Sequence, residues 1–250
     1  MNNFRAIRAA RNNAVWCDLV SKAHGGATHF SAAAWWNQRQ SPPYYPNVVT
    51  LDPTATPDRL MPTVEELVAS PALAAFAVKD SFCALELAKL NFFQLFEASW
   101  IWKAPARPSG QVLPIRWLAI HSASELAVWE SAWWRSAAPE DPTRKPTLFP
   151  ATLLAVPGVT FLAGYADDRL VAGCVLISSD DVVGLCCTFC ETTDQQAAEA
   201  DLVSEIHRRY PGRSIVGYES GERLRAALLR GFEPAGTLRV WLRHAAPVEA

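Results

Sequence analysis

The chain has 250 residues, half of them hydrophobic, with 23 basic against 25 acidic side chains and a net charge of -2. That length is long for one domain and short for two full ones, and the apolar share is enough for a sizeable core. The balanced charge argues against nucleic acid and against an acidic membrane surface as partners.

Met1 to Asn13 carries Arg5, Arg8 and Arg11 without an apolar stretch, so no signal peptide is expected. No run reaches the ~18 apolar residues of a spanning helix, which leads to the expectation of a soluble, cytoplasmic protein. Asn12 to His24 has helical spacing, with Val15, Trp16, Leu19, Val20 and Ala23 on one side and Asn12 or Asn13 as cap. Gly25-Gly26 ends it. Trp35 and Trp36 are adjacent and so cannot share a face. Ser41 to Asn47 is a proline-rich turn into a strand, Val48 to Leu51, and Pro53 to Pro62 reads as a linker. Thr63-x-x-Glu66 has the pattern of a capping box, and Ser70 is a second cap candidate.

Ala75 to Val78 reads as a strand, Phe82 to Leu90 as a helix and Phe93 to Trp102 as a strand. Pro105 to Gly110 is the best domain boundary. Val112 to Ile120 is expected as a strand, and Ser122 or Ser124 caps a helix through Trp134. A polar, proline-rich loop runs from Ala137 to Pro146, and a short helix is expected near Phe149 to Leu154. Val159 to Ala163 is the next strand. Arg169 to Ile177 and Val182 to Phe189 then form a hairpin bracketed by Asp167-Asp168 and Ser178 to Asp181. The second of these strands is apolar on both faces and so central. Gln195 to Arg209 is helical, Ser214 to Tyr218 a strand, Ser220 to Leu229 a helix, and Leu238 to Leu242 an alternating strand. Gly231-Phe232 ends the last helix, with Gly at the natural C′ position.

The order hairpin, central strand, helix, strand, helix, "LLRGFEPAG" and final strand resembles the core of the GNAT family, the acyl-CoA-dependent N-acyltransferases. The resemblance covers roughly Val112 to His244. It implies an α/β (α+β) fold with a GNAT-like mixed twisted sheet flanked by helices. "FAVKDSFCALELAKLNFFQLFEASWIW" follows a similar order to "SIVGYESGERLRAALLRGFEPAGTLRVWL", with Asn91-Phe92 where Gly231-Phe232 stands. A tandem or pseudo-duplicated arrangement is therefore the further expectation, with a degenerate GNAT-like half over 1–110 and a GNAT-like domain over 111–250. Phe76 to Trp102 should then superpose on Ser214 to Leu242.

In the family, the central strand ends in a glycine-rich turn whose amides and following helix N-terminus cradle the CoA pyrophosphate. Here that stretch is Cys190-Glu-Thr-Thr-Asp-Gln-Gln-Ala-Ala198, with neither glycine nor arginine. Asp194 reads as a helix cap. The resemblance implies that Cys187, Thr188, Phe189, Thr192, Thr193, Gln195 and Ser220 would line the site for acetyl-CoA or CoA as co-substrate. Ala227 stands where the family often has its acidic Tyr, which leaves Tyr218 as the nearest hydroxyl. Glu191 and Glu219, at neighbouring strand ends, are the candidate bases that would deprotonate an amine. For each of these the plainer alternative is a solvated side chain.

Six cysteines occur, at 17, 83, 174, 186, 187 and 190, and four of them lie in the hairpin. Cys187-x-x-Cys190 lacks the second ligand pair that zinc needs, so the plainer reading is small buried hydrophobes in the reduced state. No nucleophile elbow, phosphate-binding P-loop or H-E-x-x-H helix is present. The function implied is acyl transfer from acyl-CoA to a small-molecule or peptide amine. The alternative is a catalytically degenerate GNAT-fold protein that binds a ligand or a protein.

Overall fold

The computed structural model describes residues 3–73, 75–108, 115–137 and 147–244. The chain forms two compact units. The first comprises Met1–Ile101, Tyr218–Leu229 and Glu233–Ala250, and the second Trp102–Gly217 with Arg230–Phe232.

In the first unit, helix α1 (Phe4–Ala23) begins well before the expected start at Asn12. Ala6, Ala9 and Ala10 are buried at helical spacing and extend the apolar face by two turns. Alanines give a weak hydrophobic signal, and Asn12 resembles a cap although it is 3% exposed inside the helix. Gly25, at φ 77, closes the helix in the left-handed region. Strands β1 (Thr28–Phe30), β2 (Ala34–Asn37) and β3 (Val48–Thr50) form an antiparallel run, pairing His29 with Trp36 and Trp35 with Val49. Helix α2 (Pro57–Ala69) crosses over to β4 (Ala75–Asp80), which lies parallel to β3 through Val48↔Val78 and Val49↔Lys79.

The expected linker is thus half helix. Pro57 sits at the helix start, where its fixed φ suits the first turn, and Thr56 rather than Thr63 or Ser70 is the N-terminal flank. Leu60, Val64 and Leu67 of α2 pack with Val48, Phe76, Val78 and Phe92. A separate cluster on α1, Ala14 and Cys17, packs with Trp35, Val49 and Leu51. Trp35 and Trp36 accordingly point to different faces. Trp35 is fully buried and donates from Nε1 to Asp18 Oδ1 at 3.1 Å, whereas Trp36 stacks on His29.

The helix expected over residues 82–90 does not form. The buried Asp80 carboxylate accepts from the amides of Ala84 (3.1 Å) and Leu85 (2.8 Å), so the chain wraps around that carboxylate. Cys83 takes φ 52, and only a 3-10 turn, Ala88–Leu90, remains. Asn91 then adopts φ 62 before buried Phe92, as Gly231 adopts φ 76 before buried Phe232. The two turns share a conformation although the helices before them differ. Strand β5 (Phe93–Lys103) follows.

In the second unit, β6 (Arg116–Ala119), β7 (Val159–Ala166), β8 (Arg169–Ser179) and β9 (Val182–Cys190) form an antiparallel meander. Asp167 (φ 49) and Asp168 (φ 60) make the tight β7–β8 turn, as positive φ at two successive residues requires. Helix α3 (Ala123–Ala137) is capped by Ser122, one of the two expected caps, and the cap is a capping box. Ser122 Oγ accepts the Glu125 amide at 3.2 Å, and Glu125 Oε2 accepts the Ser122 amide at 3.0 Å. The short helix near residue 150 is a 3-10 turn, Ala151–Ala155. Trp129 of α3 is fully buried among Phe149, Phe161 and Phe189 and donates to the Leu162 carbonyl at 3.0 Å. Helix α4 (Gln195–Arg209) crosses from β9 to β10 (Ser214–Glu219), which is parallel to β9.

Helix α5 (Gly221–Leu229) and β11 (Glu233–His244) end the described chain. β11 pairs antiparallel with β4 in the first unit, from Arg239↔Asp80 to His244↔Ala75. This grouping differs from the expected halves 1–110 and 111–250, because backbone pairing places the chain's final strand with the front segment. Residues 112–114 of the expected β6 strand, Ser109-Gly110 and residues 138–146 of the expected loop lie outside the described residues. Each unit is mixed α/β, as expected, with antiparallel strands, one parallel crossover pair and helices on the sheet.

Candidate functional site

Each unit holds one parallel pair joined by a helix, and the two pairs differ. In the first unit the ladder between β3 and β4 continues into a side-chain bond. Thr50 Oγ1 accepts the Ser81 amide at 2.7 Å, and Thr50, Asp80 and Ser81 are all at most 1% exposed. That pair is shut. In the second unit the β9–β10 ladder runs Val182↔Ser214, Val183↔Ile215 and Gly184↔Val216, whereas β9 itself continues to Cys190. Val182, Val183 and Gly184 are buried, and the next four residues, Leu185 to Thr188, are half-buried. The strands part at Gly184.

A bulge sits just beyond the parting. Val175 faces Cys186 and Gly173 faces Phe189, so Cys187 and Thr188 together oppose the single residue Cys174. Cys187 takes φ 52. Such a bulge bends a strand and breaks its alternation, which explains why two adjacent residues become half-accessible. Burial and the neighbouring Cys187 push the Cys174 thiol far up, so Cys174 is an inert core residue. Phe189 returns inward against Trp129.

The remaining candidates of the second unit follow at the end of β9. The Glu191 amide donates to the Val171 carbonyl at 2.7 Å, and its carboxylate accepts from Arg135 Nη2 at 3.3 Å. Thr192 Oγ1 lies 3.4 Å from Cys190 Sγ, and Thr193 is exposed. Asp194 Oδ1 accepts the Ala197 amide at 2.9 Å, a true N-cap, and Gln195 Nε2 donates to Glu199. Arg135 is the residue that sequence reasoning missed. The expected helix stopped at Trp134, one residue short of it; the last turn of α3 carries this cation where it suits the helix dipole.

Tyr218, Glu219 and Ser220 fall within the first unit. Lys79 Nζ lies 4.2 Å from the centre of the Tyr218 ring and donates to Asn13 Oδ1 at 2.8 Å. Lys79 is 4% exposed, a buried ammonium resting on an aromatic face. Trp100 packs edge-on to the same ring at 5.6 Å. Glu219 is half-buried, and Ser220 is exposed, its carbonyl accepting the Leu224 amide at the start of α5. Among the described residues no group of three His, Cys, Asp or Glu is placed to hold a metal, and no helix is long and apolar enough to cross a membrane.

No family model matches the chain, and no curated protein matches it. Solved structures do. A GCN5-related N-acetyltransferase from Kribbella flavida is 12% identical with TM-score 0.58, covering 96% of this chain and 97% of that one. An acetyltransferase described as putative, from the GNAT family of Novosphingobium aromaticivorans, is 13% identical with TM-score 0.53, covering 93% and 97%. A tandem GNAT protein from the clavulanic acid biosynthesis pathway is 13% identical with TM-score 0.53, covering 97% and 96%. These likenesses run over nearly the whole chain at identities too low to carry a substrate. The parted β9–β10 pair, the α4 crossover and these neighbours together show that the chain has the GNAT fold.

Proposed function

We propose that this chain is an N-acyltransferase that passes an acetyl or other acyl group from an acyl-CoA thioester to the amine of a small molecule or peptide. The observation that carries the reading is the parting of β9 from β10 at Gly184, followed by the Cys187 bulge. A parted parallel pair offers strand-edge hydrogen bonds to an extended amide-bearing arm, and ligand sites in open sheets favour the C-terminal strand end. The half-buried stretch Leu185 to Thr188 is where the pantetheine arm would lie, with Thr192 and Thr193 beyond it. The donors fit the arm; Glu191 and Asp194 do not suit the phosphates without a cation beside them. Acyl-CoA supplies the activated carbonyl, and the chain's part is to align it and to remove a proton from the amine. Glu191 is the candidate for that base, with Glu219 and Tyr218 as further proton-transfer candidates to be tested by substitution. The shut β3–β4 pair, closed by the Thr50–Ser81 bond, supports seeking the site at the end of β9.

The test is release of CoA thiol from acetyl-CoA in the presence of a panel of polyamines, amino sugars and peptide N-termini. Turnover above buffer is expected with at least one class. Glu191→Gln should lower kcat about a hundredfold, in the range for a general base, with CoA affinity kept or raised. Absence of thiol release with every amine, together with no binding of S-acetylpantetheine, would overturn the reading and favour a binding protein on this fold.

A further inference from the structure

The turn after β9 presents two carboxylates, Glu191 and Asp194, to any ligand lying beyond the strand end. Asp194 is committed to the Ala197 amide. The turn's own sequence supplies no cation to answer them. The fold supplies one from elsewhere. Arg135, on α3, reaches Glu191 through Nη2 at 3.3 Å, which is long beside the about 2.7–2.9 Å of a well-formed charge-assisted bond. Its side chain is 56% exposed and that of Glu191 37%. Exposed pairs of this kind hold little energy, so the guanidinium changes partner at small cost. Its planar fork matches two phosphate oxygens better than it matches the single carboxylate oxygen it now touches.

We propose that Arg135 is the diphosphate-binding cation of this protein, taking the place of the glycine-rich turn, and that it exchanges Glu191 for the CoA diphosphate when the ligand arrives. The inference rests on the acyl-CoA reading above.

Binding measurements on the full chain separate the alternatives, using CoA, dephospho-CoA (diphosphate kept, 3′-phosphate absent) and S-acetylpantetheine (no phosphate). Arg135→Ala should weaken CoA and dephospho-CoA alike, roughly tenfold, as loss of a charge-assisted contact does, and leave S-acetylpantetheine unchanged. Arg135→Lys should recover part of the loss. In 1 M salt, where the screening length falls to about 3 Å, wild type and Arg135→Ala should converge. Glu191→Gln should bind CoA more tightly than wild type. Equal CoA affinity in wild type and Arg135→Ala overturns the inference and leaves the acyltransferase reading standing. So does a loss confined to CoA, which would assign Arg135 to the 3′-phosphate, or an equal loss for S-acetylpantetheine, which would mark a structural role. Failure of wild type to bind any of the three overturns both readings.

Discussion

Gly173 lies on β8 opposite Phe189, beneath the aromatic cluster that backs the bulge. A methyl carbon there would stand 2.3 Å from Trp129 Nε1, 2.5 Å from Phe189 Cε1 and 2.8 Å from Phe189 Cζ. Neither ring has room to withdraw, since Trp129 is 0% and Phe189 4% exposed. Trp129 is tethered by its bond to the Leu162 carbonyl. Gly173→Ala therefore forces overpacking, which costs about 1–3 kcal/mol. If the indole shifts enough to lose its carbonyl, about 1 kcal/mol more goes with the bond. The expected total is roughly 2–4 kcal/mol, or about 4–16 °C in Tm for a chain of this size. Urea unfolding followed by tryptophan fluorescence reads the midpoint, and the m-value checks that the unfolded state is unchanged. Phe189→Leu in the same chain removes the ring carbons at 2.5 and 2.8 Å and should restore part of the loss, as coupled neighbours do. A Gly173→Ala protein within about 0.5 kcal/mol of wild type, below the usual overpacking range, would refute the packing argument. The bulge would then have to be held by its backbone alone.

Two further expectations concern buried polar groups. Thr50→Val keeps shape but leaves the Ser81 amide without its acceptor at the shut β3–β4 pair, so a loss of about 1–3 kcal/mol is expected, with faster hydrogen exchange at Ser81; unchanged exchange there would refute it. His207 is 3% exposed, its Nε2 has no hydrogen-bond partner among the described residues, and burial followed by the nearby Lys103 charge lowers its pKa below 6.5. The depressed folded pKa means that the unfolded chain binds the proton first, so stability is full above about 6.5 and falls as pH drops through the folded value. The Tm of His207→Leu should fall less than that of wild type between pH 7.5 and 5, and parallel curves would contradict the assignment.

The second unit was largely legible because its signals are local. Alternation, paired aspartates and Asp194 three residues before Ala197 each act within a few residues, and α4 spans the expected Gln195–Arg209. The first unit was less so. The stretch after β4 has helical spacing, yet the Asp80 carboxylate binds the amides that would have begun the helix, and no propensity registers a buried acid acting as a turn nucleus. Proline at 57 and 62 suggested a linker, although Pro57 is a helix starter. The bulge at Cys187 has no glycine to announce it, and the Arg135–Glu191 contact joins elements far apart in sequence. The turn at Asn91-Phe92 was found because Asn, like Gly, tolerates the left-handed region that both turns require.

The pairing of β11 with β4 has a consequence for how the chain is made. β4 emerges from the ribosome well before β11 and presents one unpaired edge until β11 is synthesised. The front unit thus completes only once β11 is made, through contacts of high sequence separation, and such contacts slow folding. During synthesis that edge is a template for pairing with another nascent chain.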